Sequence, residues 1–127
     1  MAEGKEYISR QEELGSVNIS EEVLAVIAGA AAMEVDGVSA LGTTLTNDVA
    51  ALVTRKSVAK GVHLEVEGEA VMVDVTILVK YGYVVPEVAK QVQDGVHTAI
   101  ENMSGLTPAC VNVHVAGVTF EKESRHA

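Results

Sequence analysis

Between Gly61 and Leu106 the apolar residues change their period once, and that switch constrains the fold more than any other feature of the chain. Val71, Val73, Val75, Ile77 and Val79 fall on strictly alternate positions. Successive side chains of a strand point to opposite sides of the sheet, so these five share one face. Beyond Pro86 the apolar residues are Val88, Val92, Val96, Ala99, Ile100 and Met103. Steps of three and four residues make these one stripe of an amphipathic helix. Upstream, Val62, Leu64 and Val66 alternate with His63, Glu65 and Glu67, and Gly68 supplies a turn into the long strand Ala70–Tyr81. The segment reads as a β-hairpin, a tight aromatic joint and a helix. Pro86 opens that helix where its missing N–H costs nothing, and Gly105 follows the stripe as a left-handed cap.

The flanks complete the pattern. Leu14 to Ile19 reads as a short first strand, and Ser20 is a helix cap followed by Glu21 and Glu22 in the first turn. The helix near Ser20–Val35 is apolar all round at Ala28 to Ala32, so it is buried on more than one side, against the sheet or a second subunit. The layer rule favours the sheet. Val38 to Leu41 is a short extended piece. A brief helix runs through Val49, Leu52 and Val53 into Arg55, Lys56 and Lys60, the basic cluster of the chain. A final strand, Cys110 to Val118, alternates Val111, Val113 and Val115 with Asn112 and His114. Residues 1–13 and 121–127 read as mobile polar tails around one domain over 14–120. The expected architecture is α+β: a two-layer sandwich, mainly antiparallel, with both helices packed on one face of the sheet.

Composition narrows the function. The length of 127 residues suits one core. Hydrophobic residues make up 48% and aromatics 3%, so the core is aliphatic and offers little surface for stacking bases or sugars. A net charge of −9 opposes phosphate backbones and anionic lipid, and argues against nucleic-acid binding. Cys110, the single cysteine, permits no internal disulfide and reads as a small buried hydrophobe. The amino end has no signal-peptide core. The longest apolar run, Val23 to Met33, is shorter than the ~18 residues of a membrane span. The expected location is the cytoplasm, with no direct membrane insertion.

Motifs for chemistry are approached and missed. Gly37 to Thr44 comes near a phosphate-binding loop, but Thr43 stands where the lysine belongs and a helix leads into it. His63 and His114 lie on the polar faces of their strands, and could share zinc with Glu65 or Asp74 only if those strands were neighbours. Surface histidines are the plainer reading, with His97 on the polar side of the last helix. Glu65, Glu67, Glu69 and Asp74 read as solvating groups that also discourage edge aggregation. The G-x-x-G clamp of a KH-type nucleic-acid module is missing from the chain. No catalytic, cofactor-binding or metal residues are assigned, and the chain reads as a non-enzyme.

EEVLAVIAGAAAMEVDGV, RKSVAKGV, VDVTILVKYGYVVPEVAKQVQDGVHTAIENMSGL and CVNVHVAGVTF together resemble the alkaline-shock protein family over residues 15–120. The most distinctive parts are Tyr81-Gly82 before Pro86-Glu87-Val88-Ala89, and Val111-Asn112-Val113-His114-Val115. The resemblance implies a non-enzymatic protein of Gram-positive cell-envelope stress. Such a protein self-associates and is held at the inner membrane face by a separate membrane-anchored partner. Some members are linked instead to control of fatty-acid synthesis, so the alternative is a soluble regulator of a metabolic enzyme. On an acidic chain the cluster of Arg55, Lys56 and Lys60 is a docking point for the acidic surface of another subunit, or else an ordinary solvated linker. Self-association is expected because Ala28 to Ala32 leaves more apolar surface than a small sheet covers.

Overall fold

A computed structural model describes residues 7–42, 61–68 and 70–120. The elements in chain order are β1 (Tyr7–Glu12), β2 (Gly15–Ser20), α1 (Glu21–Met33), β3 (Val38–Leu41), β4 (Val62–Glu67), β5 (Ala70–Lys80), α2 (Val85–Ser104) and β6 (Cys110–Thr119). The fold is α+β, as the sequence indicates.

Strand β5 organises the sheet. Along one side it pairs antiparallel with β4 through its first half and with β3 through its second. Along the other side it pairs with β6, in parallel, from Met72↔Cys110 to Lys80↔Thr119. The parallel pairing follows from the connection, because a strand that returns through a helix runs in the same direction as the one it left. The other two ladders of this four-stranded sheet are antiparallel, and β1 and β2 form a separate antiparallel two-stranded sheet, so most ladders are antiparallel.

The period switch produces the core. Val71, Val73, Val75, Ile77 and Val79 are fully buried, and so are Val92, Val96 and Ile100 of α2. All belong to one cluster with Leu24, Ala28 and Ala32 of α1. The two helices pack on each other and on the same side of the sheet. Local signals act as the sequence suggests. Ser20 Oγ accepts from the Val23 N–H at 3.3 Å, and Pro86 lies in the first turn of α2. Gly105 closes α2 at φ +79°, its N–H bonded to the Glu101 carbonyl at 2.9 Å.

The amino-terminal reading needs correction. Tyr7–Glu12, taken as part of a tail, is a strand whose register places Ile8 opposite Ile19. A two-residue turn at Glu13-Leu14 joins it to β2. Ile8 is 4% exposed and enters the core cluster. One apolar residue in six gives no visible period, and backbone bonding to β2 supplies what the side chains do not announce.

Candidate functional site

Aromatic residues are scarce here, and the fold gathers them. The chain has four, and Tyr81, Tyr83 and Phe120 lie where β5 and β6 end and α2 begins. The Tyr81 and Phe120 rings stack at 4.8 Å between centroids, 22° apart in plane. The Tyr81 N–H donates to the Thr119 carbonyl at 2.7 Å, which fixes the two strand ends together. Tyr81 is 69% exposed and Phe120 64%, and Tyr83, Val84 and Val118 beside them are also exposed.

The Tyr83 side of this platform is held from below by Gly37, in the turn between α1 and β3. Gly37 has φ +100°, and a Cβ there would lie 2.8 Å from both Tyr83 Cδ2 and Val88 Cγ2. Its carbonyl accepts the Lys80 N–H at 2.7 Å. The Tyr83 ring thus rests on backbone that only glycine supplies. Large amphipathic rings with fixed backbones and open faces are the groups that most often anchor protein contacts.

The face of the sheet away from the helices carries a polar array. The registers His63↔Asp74 and Asp74↔Asn112 put Asp74 in the middle, flanked from β4 and β6. Asn112 Nδ2 donates to Asp74 Oδ1 at 3.0 Å, and His114 Nε2 lies 3.4 Å from the same oxygen. The Asn112 hydrogen bond, then contact with His114 and the charges of His114 and His63, holds the Asp74 carboxyl below its ordinary value, while partial burial works the other way. His63 and His114 share this face, but β5 separates their strands. Two strand spacings, roughly 10 Å, keep them from sharing one ion. Among the described residues no group of three His, Cys, Asp or Glu is arranged to hold a metal. His97 pairs instead along α2 with Glu101, at 3.7 Å.

Other sequence readings fall differently. Cys110, read as a buried hydrophobe, is half-exposed on the polar face opposite Met72, with Asn112 Nδ2 at 3.7 Å from its Sγ. Alternation gives the buried place to Val111. In the small-residue stretch of α1, Ala28, Gly29 and Ala32 are buried within the chain, and Ala30 is exposed. Arg55, Lys56 and Lys60, and the brief helix through Val49, Leu52 and Val53, lie outside the described residues. The aromatic platform was missed because Phe120 is 37 positions or more from Tyr81 and Tyr83 and joins them only across the strand ends. The signal for it was the rarity of aromatics together with their place at two strand ends.

No helix among the described residues is long and apolar enough to cross a membrane. The chain is similar to the uncharacterized protein YqhY of Bacillus subtilis (strain 168), at 33% identity over 88% of this chain and 83% of that one. It is 35% identical to the uncharacterized protein Spy1535 of Streptococcus pyogenes serotype M6, over 87% of this chain and 84% of that one. Among solved structures, a MamM CTD variant matches with a TM-score of 0.47 at 17% identity, over 76% of this chain and 93% of that one. A family model matches residues 9–120. With that match over most of its length and relatives above 30% identity, the chain belongs to the alkaline-shock protein 23 family, a family of cell envelope-related function.

Proposed function

We propose that the protein is a non-enzymatic, self-associating scaffold that a membrane-anchored protein recruits to the inner face of the cell membrane. The observation that carries this is the exposed platform of Tyr81, Tyr83 and Phe120, three of the four aromatics in the chain. Elsewhere the core is aliphatic, so rings left in water at a braced position point to a contact made outside the chain. The occupant in this reading is an apolar groove on the anchored partner. The cell envelope-related function of the family supports the location. Arg55, Lys56 and Lys60 serve in this scheme as countercharge for acidic surface on a neighbouring subunit.

Fluorescent fusions in intact cells test the proposal. The wild-type protein is expected at the cell periphery, and Tyr81→Ser with Phe120→Ser is expected to spread through the cytoplasm while remaining folded. A diffuse wild-type signal would overturn membrane recruitment and favour the soluble regulator of a metabolic enzyme. Peripheral signal in the double variant would remove the platform as the docking surface.

A further inference from the structure

The outer edge of β6 is the most unusual surface left by the fold. Among the described residues no strand pairs with it. Long open edges are normally blunted by charges, prolines or bulges, because they template pairing with another chain. From Cys110 to Val115 this edge has none of these. The first irregularity comes after Val115, where the register with β5 shifts between Ile77 and Leu78. All ten residues, CVNVHVAGVT, lack Asp, Glu, Lys and Arg.

The direction of the backbone groups follows from three bonds. Ala109 N–H reaches the Val71 carbonyl, while Thr76 bonds on its other side, giving its N–H to Gly61 and its carbonyl to the Gly42 N–H. Residues 71, 73 and 75 therefore face β6. In a parallel ladder each bonds the residues on either side of its register partner, so Cys110, Asn112 and His114 face back. Alternation turns the N–H and C=O groups of Val111, Val113 and Val115 to the open edge. On the helix side of the sheet, Val113 and Val115 are only half-buried at the same edge.

We infer that this edge pairs with the β6 edge of a second copy, antiparallel about a twofold axis at Val113. Electrostatics select the occupant. Copies of a chain with net charge −9 repel wherever acidic surfaces meet, and β6 is a long strand on which two copies can touch without facing carboxylates. Twofold pairing is self-complementary by construction. With Val113 opposite its own counterpart, the two Val113 residues exchange backbone bonds, and Val111 does the same with Val115 of the other copy. The half-buried valines then cover one another. This deepens the self-association in the reading above and rests on it for its purpose. Its test reads the purified protein alone, so it stands or falls separately from recruitment through the aromatic platform.

Light scattering at ~100 μM, well above the μM dissociation constants of ordinary specific contacts, is expected to give twice the 13.3 kDa chain mass or a multiple of it. Val113→Pro removes an N–H that faces the open edge, a place where a sheet tolerates proline. It is expected to fold and to lose the doubling. In a Cys110→Ser background, Val113→Cys is expected to form an intermolecular disulfide under mild oxidation, since Val113 would face its own copy across the axis. A wild-type monomer at that concentration overturns the proposal, and so does undiminished association in folded Val113→Pro. If the proline variant fails to fold, the cysteine variant decides: no crosslink in an associated protein overturns the β6 pairing.

Discussion

The two sides of β5 are built from the same eleven residues and follow different rules. On the helix side, Val71, Val73, Val75, Ile77 and Val79 are sealed among α1 and α2, where each methyl has neighbours all round. On the other side, Met72, Asp74 and Thr76 remain partly open to solvent, and Asp74 finds its partners from β6. One side stabilises the chain and the other leaves it a surface to present. Adjacent residues on this strand therefore differ more in consequence than residues far apart on one face.

The sharpest break of that comparison is the pair Ile77 and Thr76. Ile77→Ala leaves a cavity among buried aliphatic groups and should cost ~2–5 kcal/mol in urea unfolding. Thr76→Ala, one residue away, should change stability by about 0.5 kcal/mol or less. Equal losses at the two positions would show that the faces are not distinct.

That contrast was legible in the sequence because a strand period of two and a helix period of 3.6 can each be read without knowing the partner. Val73, Val75 and Ile77 are buried in one cluster with Val92, Val96 and Ile100, as their spacing indicates. What depends on pairing was not legible. Tyr7–Glu12 forms a strand because β2 lies beside it, and its own side chains show no period. The middle position of Asp74 between His63 and Asn112 exists only once three strands are in register. The aromatic platform likewise needs β6 to run parallel to β5, so that Phe120 arrives beside Tyr81.

A second comparison lies between two glycines of positive φ. Gly37, at φ +100°, has the Tyr83 ring and Val88 where a Cβ would go, whereas Gly68, at φ +60°, has nothing within 4 Å. Gly37→Ala combines backbone strain with a clash against α2, and should cost about 1–3 kcal/mol. Gly68→Ala meets only the left-handed backbone penalty, on the order of 1 kcal/mol. Thermal unfolding of both variants ranks them. Gly37→Ala should also change the solvent accessibility of the Tyr83 ring, which ultraviolet difference spectra read directly. Equal losses would mean that Tyr83 moves aside freely and that the platform is not braced from below.

The smallest effect belongs to the polar face and has a sign that the core cannot imitate. The Asp74 carboxyl is held below its ordinary value, first by the hydrogen bond from Asn112. A carboxyl whose folded pKa lies under the unfolded value of about 3.9 favours the folded state when ionised. That contribution is fully present above about pH 4 and is lost as pH falls through the folded value. Side-chain exposure of 35% at Asp74 and 58% at His114 keeps it small, in the range of about 0.2–1 kcal/mol found for exposed pairs. Asp74→Asn cannot titrate, so its deficit against the wild type should be visible at pH 7 and shrink toward zero near pH 2. Urea midpoints at the two pH values measure this, and a deficit that grows on acidification would reverse the assignment. Ile77→Ala has no titrating group at the altered site, so its deficit should survive acidification. A core and an open face on one strand are then separated by pH alone.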